Sequence, residues 1–464
     1  MSLVERSWSG GMRLGLGVWL QLALLATLVL GAVAQRPAVE ELAGALAGLW
    51  ALSQWRRLLP LARLFVALAG LSFALVLLLA PAEGPRLVTA LVQGTGFAAL
   101  MMVLGLLRQP VKRAEVTRAA AQYLLSAPPR RRYGVLLSGA QFMALIFNVG
   151  IIAMIGDLTR DPDHEGPDAD PGRRAMVMAA QRGAALVAVW SPMSLGFAIV
   201  TTGIPAVAPL ALIGLAFAFT MLVLALSAFW PLLPAAARLP RGQAGPRAGR
   251  AGAVGAVLAV SAGLLAANLT LHHLTGFGFT LCSVIVLPLF ALVWLALERD
   301  GRADFGTRLG QALAALADLR NEGTLFLAAN VIGAALSLAI QSSPLWPLLS
   351  GAALSSLPAL LGLLVLIPLA AALYLPNTIM VVLAAQIFGP TLLGQAHPLA
   401  LGLTLCIGWG LAICINPISA MNLIVGRFAG VPAAQVAHRW NAGFVAATGA
   451  LAALTISLVY RMGG

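Results

Sequence analysis

Four short polar segments lie in the middle of long apolar stretches, and two of them have a proline at their centre. The two proline-centred segments are Ser191-Pro192-Met193-Ser194 and Asn416-Pro417-Ile418-Ser419. Proline lacks an N–H and clashes with the preceding turn, so we expect a helix to break at each of them. In hydrocarbon, the backbone groups freed by a break must meet a cavity, an ion or other protein. Paired breaks of this kind are typical of sites that bind a solute within the membrane.

The other two polar segments are Asn148-Val149-Gly150 and Pro376-Asn377-Thr378. Each divides its apolar stretch into two arms, which predicts a hairpin with an asparagine at the tip. Asn148 and Asn377 are 229 residues apart, and Ser191 and Asn416 are 225 residues apart. Because the two spacings nearly agree, the sequence predicts two repeats, each with a hairpin followed by a broken helix.

A broken helix offers two kinds of unpaired backbone group, N–H groups where one half starts and carbonyls where the other ends. The N–H end attracts anions, whereas the carbonyl end binds sodium or accepts from a proton donor. Side-chain amides and hydroxyls nearby suit a desolvated anion, because their hydrogen bonds replace its water. The alternative is that these Ser and Asn side chains only satisfy one another between helices. The candidate substrate and ion site comprises Asn148, Val149, Gly150, Ser191, Pro192, Ser194, Asn377, Thr378, Asn416, Pro417 and Ser419.

Two arginines inside the same apolar stretches, Arg182 and Arg427, are further candidates for contact with an anion. The alternative is that both guanidinium groups reach the headgroups at the cytoplasmic end of their helices. No Asp or Glu falls in the middle of a predicted span. Cation pumps keep an embedded carboxylate, so this pattern favours an anionic or neutral solute. We predict no catalytic residue and no cofactor, with sodium as a candidate coupling ion.

The composition is that of a polytopic membrane protein. Of 464 residues, 60% are hydrophobic and 10% are charged, whereas soluble domains are about half apolar and a quarter charged. The net charge of +13 comes from basic residues between the apolar spans, so it predicts orientation in the bilayer rather than nucleic-acid binding. The three cysteines lie in apolar segments without metal-ligand spacing.

Eleven apolar stretches predict membrane-spanning helices. They are residues 14–34, 39–55, 59–80, 87–107, 175–202, 204–233, 252–271, 277–297, 324–349, 399–427 and 442–460. The first imitates a secretory signal, but its length favours a retained helix. Basic residues at 56–57, 108–132 and 238–250 place these connections in the cytoplasm.

That orientation requires one apolar piece between residues 133 and 238 to enter the membrane and return. We assign residues 134–157 to this re-entrant hairpin, and residues 357–388 to its counterpart from the outer side. Residues 111–125 and 309–319 predict helices that lie along the interface. The chain then divides into an amino-terminal unit, 1–133, a first hairpin and broken-helix unit, 134–233, scaffold helices, 234–323, and a second hairpin unit, 324–464.

With this topology the chain resembles the ion transporter superfamily, in particular the divalent anion/sodium symporters and their citrate and arsenite relatives. In that family the hairpin tips carry a short Ser-Asn-Thr motif. Asn377 and Thr378 match its last two residues, with Pro376 in place of serine, and the first tip matches at Asn148. The resemblance implies an all-α fold with inverted repeats, a substrate held by both tips, sodium where each tip meets a break, and a homodimer.

The favoured function is alternating-access transport of a small anion, with a carboxylate as the leading solute, driven by sodium or protons across the bacterial inner membrane. An oxyanion or metalloid exporter of the same fold would show the same features. A membrane subunit that needs a soluble binding protein is a further alternative. An intramembrane transferase is less favoured, because no acid–base group of residues and no large polar loop accompanies the breaks.

Overall fold

The protein is an all-helical, multi-pass membrane protein. The computed structural model describes residues 15–113, 115–159, 171–235, 237–238, 251–297, 304–344, 346–350 and 356–463, which form helices and no strands. Within these ranges, ten helices or helix runs are long and apolar enough to cross a membrane. They coincide with ten of the eleven predicted spans. The remaining span, residues 39–55, forms a helix of 17 residues.

The helices follow the apolar stretches closely. In the first half they are α1 Leu16–Ala34, α2 Pro37–Ser53, α3 Pro60–Leu79, α4 Gly84–Arg113, α5 Glu115–Leu125, α6 Pro129–Phe147, α7 Gly150–Leu158, α8 Pro171–Trp190, α9 Leu195–Gly203 and α10 Pro209–Phe229. In the second half they are α11 Ala251–Thr275, α12 Phe279–Leu297, α13 Phe305–Ala315, α14 Arg320–Gln341, α15 Trp346–Leu349, α16 Leu357–Ala372, α17 Asn377–Phe388, α18 Leu392–Ala396, α19 Pro398–Ile415, α20 Ala420–Ala429, α21 Ala433–Gln435 and α22 Ala442–Arg461. Three 3-10 turns, Trp55–Arg57, Pro81–Glu83 and Leu316–Leu319, and one π-helix, Val436–Trp440, complete the described elements.

The two proline-broken helices occupy the centre of the molecule. Of the apolar window in α8–α9, 89% is buried, and of that in α19–α20, 78% is buried, against 17% in α3. Large apolar side chains such as Leu78, Phe229 and Leu454 are exposed on the outer helices. A surface of this kind suits contact with lipid, which leaves the broken helices as the protein-lined interior.

The broken helices pack against each other in opposite directions. Gln181 of α8 donates to Asn422 of α20 over 2.6 Å. Further along, a Cβ at Gly410 of α19 would lie 2.5 Å from Val189 Cγ2 of α8. Residue numbers therefore rise along one broken helix and fall along the other. In keeping with this antiparallel arrangement, the first half of each broken helix contacts the second half of the other: α8 contacts α20, and α19 contacts α9.

Each broken helix is also lined by the helix pair that precedes it. α6 and α7 pack on α8, and α16 and α17 pack on α19. The predicted arms around Asn148 differ from the observed ones: α6 has 19 residues and starts at Pro129, whereas α7 has nine. Pro129 occupies the first position of α6, where proline is tolerated, and Pro128 is the residue before it. The proposed unit boundaries at 133/134 and 323/324 fall inside α6 and α14.

Small residues allow the central helices to approach closely. A side chain at Gly183 of α8 would overlap the Leu137 carbonyl of α6, and one at Gly196 of α9 would overlap the Trp409 ring of α19. Close backbone approach through small residues is how helices pack in membranes, where apolar burial gives little driving force.

Candidate solute-binding site at the two helix breaks

The first break lies between Trp190, the last residue of α8, and Leu195, the first of α9. Pro192 has no N–H, and the Ser194 hydroxyl donates instead to the Ala188 carbonyl over 2.9 Å. Ser194 also caps α9 by accepting from the Phe197 N–H, and Ser191 accepts from the Met193 N–H. The break is therefore a fixed turn held by two serines.

The second break repeats these hydrogen bonds 225 residues later. The Ser419 hydroxyl donates to the Ile413 carbonyl over 2.9 Å and accepts from the Asn422 N–H. Asn416 Oδ1 accepts from the Ile418 N–H, as Ser191 does at the first break. The backbone bonds also correspond, including Ser194 N to Ser191 O and Ser419 N to Asn416 O. The predicted residues at both breaks thus hold the broken backbone itself.

One position differs between the breaks and changes their chemistry. Asn422 Nδ2 donates to the carbonyls of Ile413, Cys414 and Asn416 at 3.3, 2.9 and 2.8 Å. The equivalent residue at the first break is Phe197, which is fully buried and has no polar side-chain atom. The side-chain amide of Asn422 therefore donates hydrogen bonds to carbonyls whose counterparts at the first break receive none from a side-chain amide.

The first break consequently leaves more carbonyls unpaired. Among the described residues, no hydrogen bond reaches the carbonyls of Val189 and Trp190, the last two of α8. At the second break, only the last carbonyl of α19, on Ile415, is left in this way. Both Val189 and Trp190 are buried, so unpaired carbonyls there are costly unless a cation or donor meets them.

The N–H groups at the starts of α9 and α20 differ in access. Within the described ranges, the first two N–H groups of each helix have no hydrogen-bond acceptor. At α9 they belong to Leu195 and Gly196, which are buried, whereas at α20 Ala420 is exposed and Met421 is buried. A helix start with free N–H groups attracts anions, and the accessible one is at α20.

The segment that precedes α17 lies at the second break. Asn416 Nδ2 donates to the Leu375 carbonyl over 3.2 Å, which joins the second break to the second tip. In the first half, α6 and α8 touch at Leu137 and Gly183, and both helices end about two to three turns further on. No hydrogen bond between described residues joins Asn148 to Asn377.

The remaining predicted tip residues are placed as follows. Asn148 is exposed and has a positive φ of 48°. Val149 and Gly150 are half-buried and start α7. Asn377 is half-buried and Thr378 is buried at the start of α17, where their N–H groups precede the first intrahelical bonds. Since α17 starts beside Leu375 and the second break, two helix starts face the same region.

Arg182 is fully buried inside the protein. Its Nε donates to Asn441 Oδ1, Nη1 to the Tyr133 hydroxyl, and Nη2 to the Trp440 carbonyl over 2.9 Å. The carbonyls of Pro231 and Leu232 complete its contacts, so all five N–H groups of the guanidinium are engaged. The guanidinium also lies 4.7 Å from the Phe444 ring centre. Every one of these partners is neutral. Arg427, in contrast, is exposed in the last turn of α20.

A buried amide cluster connects Arg182 to the second break, and the sequence interpretation missed it. Gln181, Asn422 and Asn441 hydrogen-bond to one another, and Asn441 Nδ2 also donates to the Cys414 carbonyl over 3.2 Å. All three amide side chains are fully buried. The available signal was polarity inside apolar stretches, particularly at Asn422 and Gln181. Their pairing across 241 residues could not be read from it.

No protein-family model matches the chain, and no curated protein matches its sequence. The arrangement described above is therefore the basis for inferring function.

Proposed function

We propose that the protein is a secondary transporter that moves a small anion across the membrane. The observation that carries this proposal is the uncompensated charge of Arg182, which a buried amide cluster connects to the second break. Its partners are neutral, and no Asp or Glu is among the buried residues of the described ranges. A buried cation without a counter-charge raises the electrostatic potential of its surroundings and favours an anionic solute.

Because its N–H groups are all engaged, Arg182 acts through its charge rather than by direct contact. The accessible start of α20 and the start of α17 contact the anion directly. The groups without acceptors there are the N–H groups of Asn377, Thr378, Ala420 and Met421. Two helix starts and a hydroxyl on Thr378 are suited to a carboxylate, which accepts several hydrogen bonds at once.

The unpaired carbonyls at the first break fit the complementary role. Val189 and Trp190 offer buried oxygen acceptors at the end of α8. Sodium prefers such uncharged oxygen ligands, and half-helix carbonyl ends bind coupling ions in transporters. We infer that the first break holds the coupling cation or a proton donor, and that the second break holds the anion.

The matched hydrogen bonds and antiparallel packing of the two breaks support inverted repeats with re-entrant hairpins. Alternating access would follow from movement of one repeat against the other around the central site. The resemblance to the divalent anion/sodium symporters, with placement in a bacterial inner membrane as a homodimer, remains part of this proposal. An exporter of oxyanions or metalloids of the same fold would use the same groups.

A thermal-shift screen of the purified protein tests the proposal first. The ligands are di- and tricarboxylates, sulfate, phosphate and arsenite, each with sodium and with choline as the cation. We expect at least one anion to raise the melting temperature, more strongly in sodium than in choline if sodium is the coupling ion. Stabilisation by cations or neutral solutes alone would contradict the anion assignment.

Uptake into proteoliposomes then tests the site with a matched pair of variants. Thr378→Val removes the hydroxyl at the second tip while keeping its size. Thr201→Val removes a hydroxyl in α9 that donates only to its own helix, at Phe197 and Ala198. We expect Thr378→Val to weaken anion affinity roughly tenfold and Thr201→Val to leave it unchanged. Equal behaviour of the two variants would place the site elsewhere.

A further inference from the structure

A polar cavity lies away from the breaks, between α4, α14 and the end of α17. Its volume is about 380 Å³, within the range of small-molecule sites. The polar side chains around it are Arg86, Thr89, Gln93, Ser337, Gln341 and Gln386. Gln386 is nine residues from Asn377 along α17, about 13 Å at 1.5 Å per residue. The cavity is therefore separate from the second hairpin tip.

Hydrogen bonds hold one wall of this cavity in place. Gln341 Nε2 donates to the Ser337 hydroxyl over 3.1 Å, and that hydroxyl donates to the Gln386 carbonyl over 3.4 Å. Gln386 Nε2 faces Asn330 Oδ1 at 3.4 Å, and Asn330 Nδ2 donates to the Ala90 carbonyl over 2.6 Å. These bonds tie α17 to α14 and α14 to α4, so the polar groups are fixed before any ligand arrives.

Two groups at the cavity point to the chemistry of its ligand. Gln386 Oε1 is buried and has no hydrogen-bond partner among the described residues, so it requires a donor. Arg86 also lines the cavity and pairs with Glu83 through Nε at 3.1 Å, so its Nη groups have no acceptor among the described residues. The Arg86 side chain is 64% exposed, so the cavity is open to solvent at this end.

We propose that this cavity binds a small carboxylic acid that also carries a hydroxyl or amino group. The carboxylate binds the Nη edge of Arg86, for which a guanidinium has the matching fork. The hydroxyl or ammonium group donates to Gln386 Oε1, which satisfies the buried acceptor that has no partner at this cavity. Gln93 and Gln341 provide neutral amide groups between these two ends. An unsubstituted acid of the same length lacks the donor and binds less well.

Calorimetry on the purified full-length protein tests this site with malate and succinate, which differ by one hydroxyl group. Malate is expected to bind about tenfold more tightly than succinate. Gln386→Met should remove this preference by weakening malate roughly tenfold, and Arg86→Gln should weaken both acids. Thr455→Val is the matched control, because that hydroxyl lies outside the cavity and donates to the Leu451 carbonyl of its own helix, α22.

The outcomes separate this site from the proposed transport site. Malate binding that is sensitive to Gln386→Met but not to Thr378→Val supports the cavity, even if no acid is transported. Equal affinity for malate and succinate in the unmodified protein would overturn the proposal. So would binding of glycerophosphoethanolamine with no binding of malate, because the ligand would then be a phospholipid headgroup. Since Arg86 is exposed, Arg86→Gln keeps the test decisive if Gln386→Met fails to fold.

Discussion

The two helix breaks share a backbone design but differ in how they treat their free carbonyls. Each has a proline, a serine that replaces the missing N–H bond, and the same capping bonds. At the second break Asn422 covers three carbonyls, whereas Phe197 stands in the equivalent place at the first. The comparison shows that one buried side chain decides whether a broken helix presents acceptors or hides them.

The same comparison extends to the helix starts that follow. α20 begins at an exposed alanine, whereas α9 begins among buried residues. The second break thus leaves one carbonyl of its first half-helix unpaired and begins the next helix at an exposed residue. The first break leaves two carbonyls unpaired and begins the next helix among buried residues. Under the proposed function, these two similar segments bind ligands of opposite charge.

The largest expected effect is on stability at Asn422. Asn422→Leu removes the amide that covers the second break and deprives Gln181 Nε2 of its acceptor. Several buried hydrogen bonds are lost at once, so we expect a loss of about 2–4 kcal/mol of unfolding free energy. Phe197→Leu at the equivalent place should cost less, because only packing changes. Thermal unfolding in detergent measures both, and a smaller loss at Asn422 than at Phe197 would contradict the comparison.

The next prediction compares how replacement of each proline by alanine changes uptake. Pro192→Ala lets α8 continue, because the N–H groups of Met193 and Ser194 can then bond the free carbonyls of Val189 and Trp190. We expect uptake to fall tenfold or more, a cost of at least about 1.4 kcal/mol.

Pro417→Ala should have a weaker effect on uptake. The Cys414 carbonyl that a continued α19 would need already accepts from Asn422 and Asn441. Adding Asn422→Leu should make the second break behave like the first. Identical losses from Pro192→Ala and Pro417→Ala would mean that the carbonyl difference has no functional consequence.

The hairpin tips should differ in anion affinity. Asn377→Leu fills the region where α17 and α20 begin and removes an amide donor, so affinity should fall about fivefold to a hundredfold. Asn148→Leu should reduce it less, because no hydrogen bond between described residues joins Asn148 to the second break, where we propose that the anion binds. Calorimetry with the identified anion measures both variants. The double variant tests whether the tips share one site, since residues in one site are not additive.

The smallest expected effect is a gain in stability at the first tip. Asn148 has φ 48° and ψ −129°, a conformation that is strained for a residue with a side chain. Asn148→Gly should relieve that strain and stabilise the protein by up to about 1 kcal/mol, offset in part by the greater entropy of glycine when unfolded. A lowered melting temperature would show that the exposed side chain has a structural partner in the membrane.

Much of the fold was readable from the sequence because the hydrocarbon imposes length and polarity on each helix. Pro192 and Pro417 located both breaks, and ten of the eleven predicted spans reappear as long apolar helices. The starting point of α6 was missed, because Arg130, Arg131 and Arg132 were taken as a connection rather than as its first turn.

The candidate site was harder to predict, because its pairings cross long distances in the sequence. Arg182 looked like a residue near the headgroups, since nothing local shows that Tyr133, Trp440 and Asn441 surround it. The serines at the breaks were located correctly, but their hydroxyls cap the backbone. Which asparagine covers which carbonyl depends on packing between the halves, and packing leaves no periodic signal in a single sequence.

The hydrogen bonds around Arg182 also have a consequence for how the chain is made. Its partners Trp440 and Asn441 are synthesised 258 and 259 residues later than the arginine itself. Until they emerge from the ribosome, a charged side chain in α8 has incomplete solvation in lipid, where an unpaired charge is costly. We therefore expect α8 to settle into its final depth only after α22 has entered the membrane. Membrane insertion of the first half of the chain would then be completed only after the second half has been inserted.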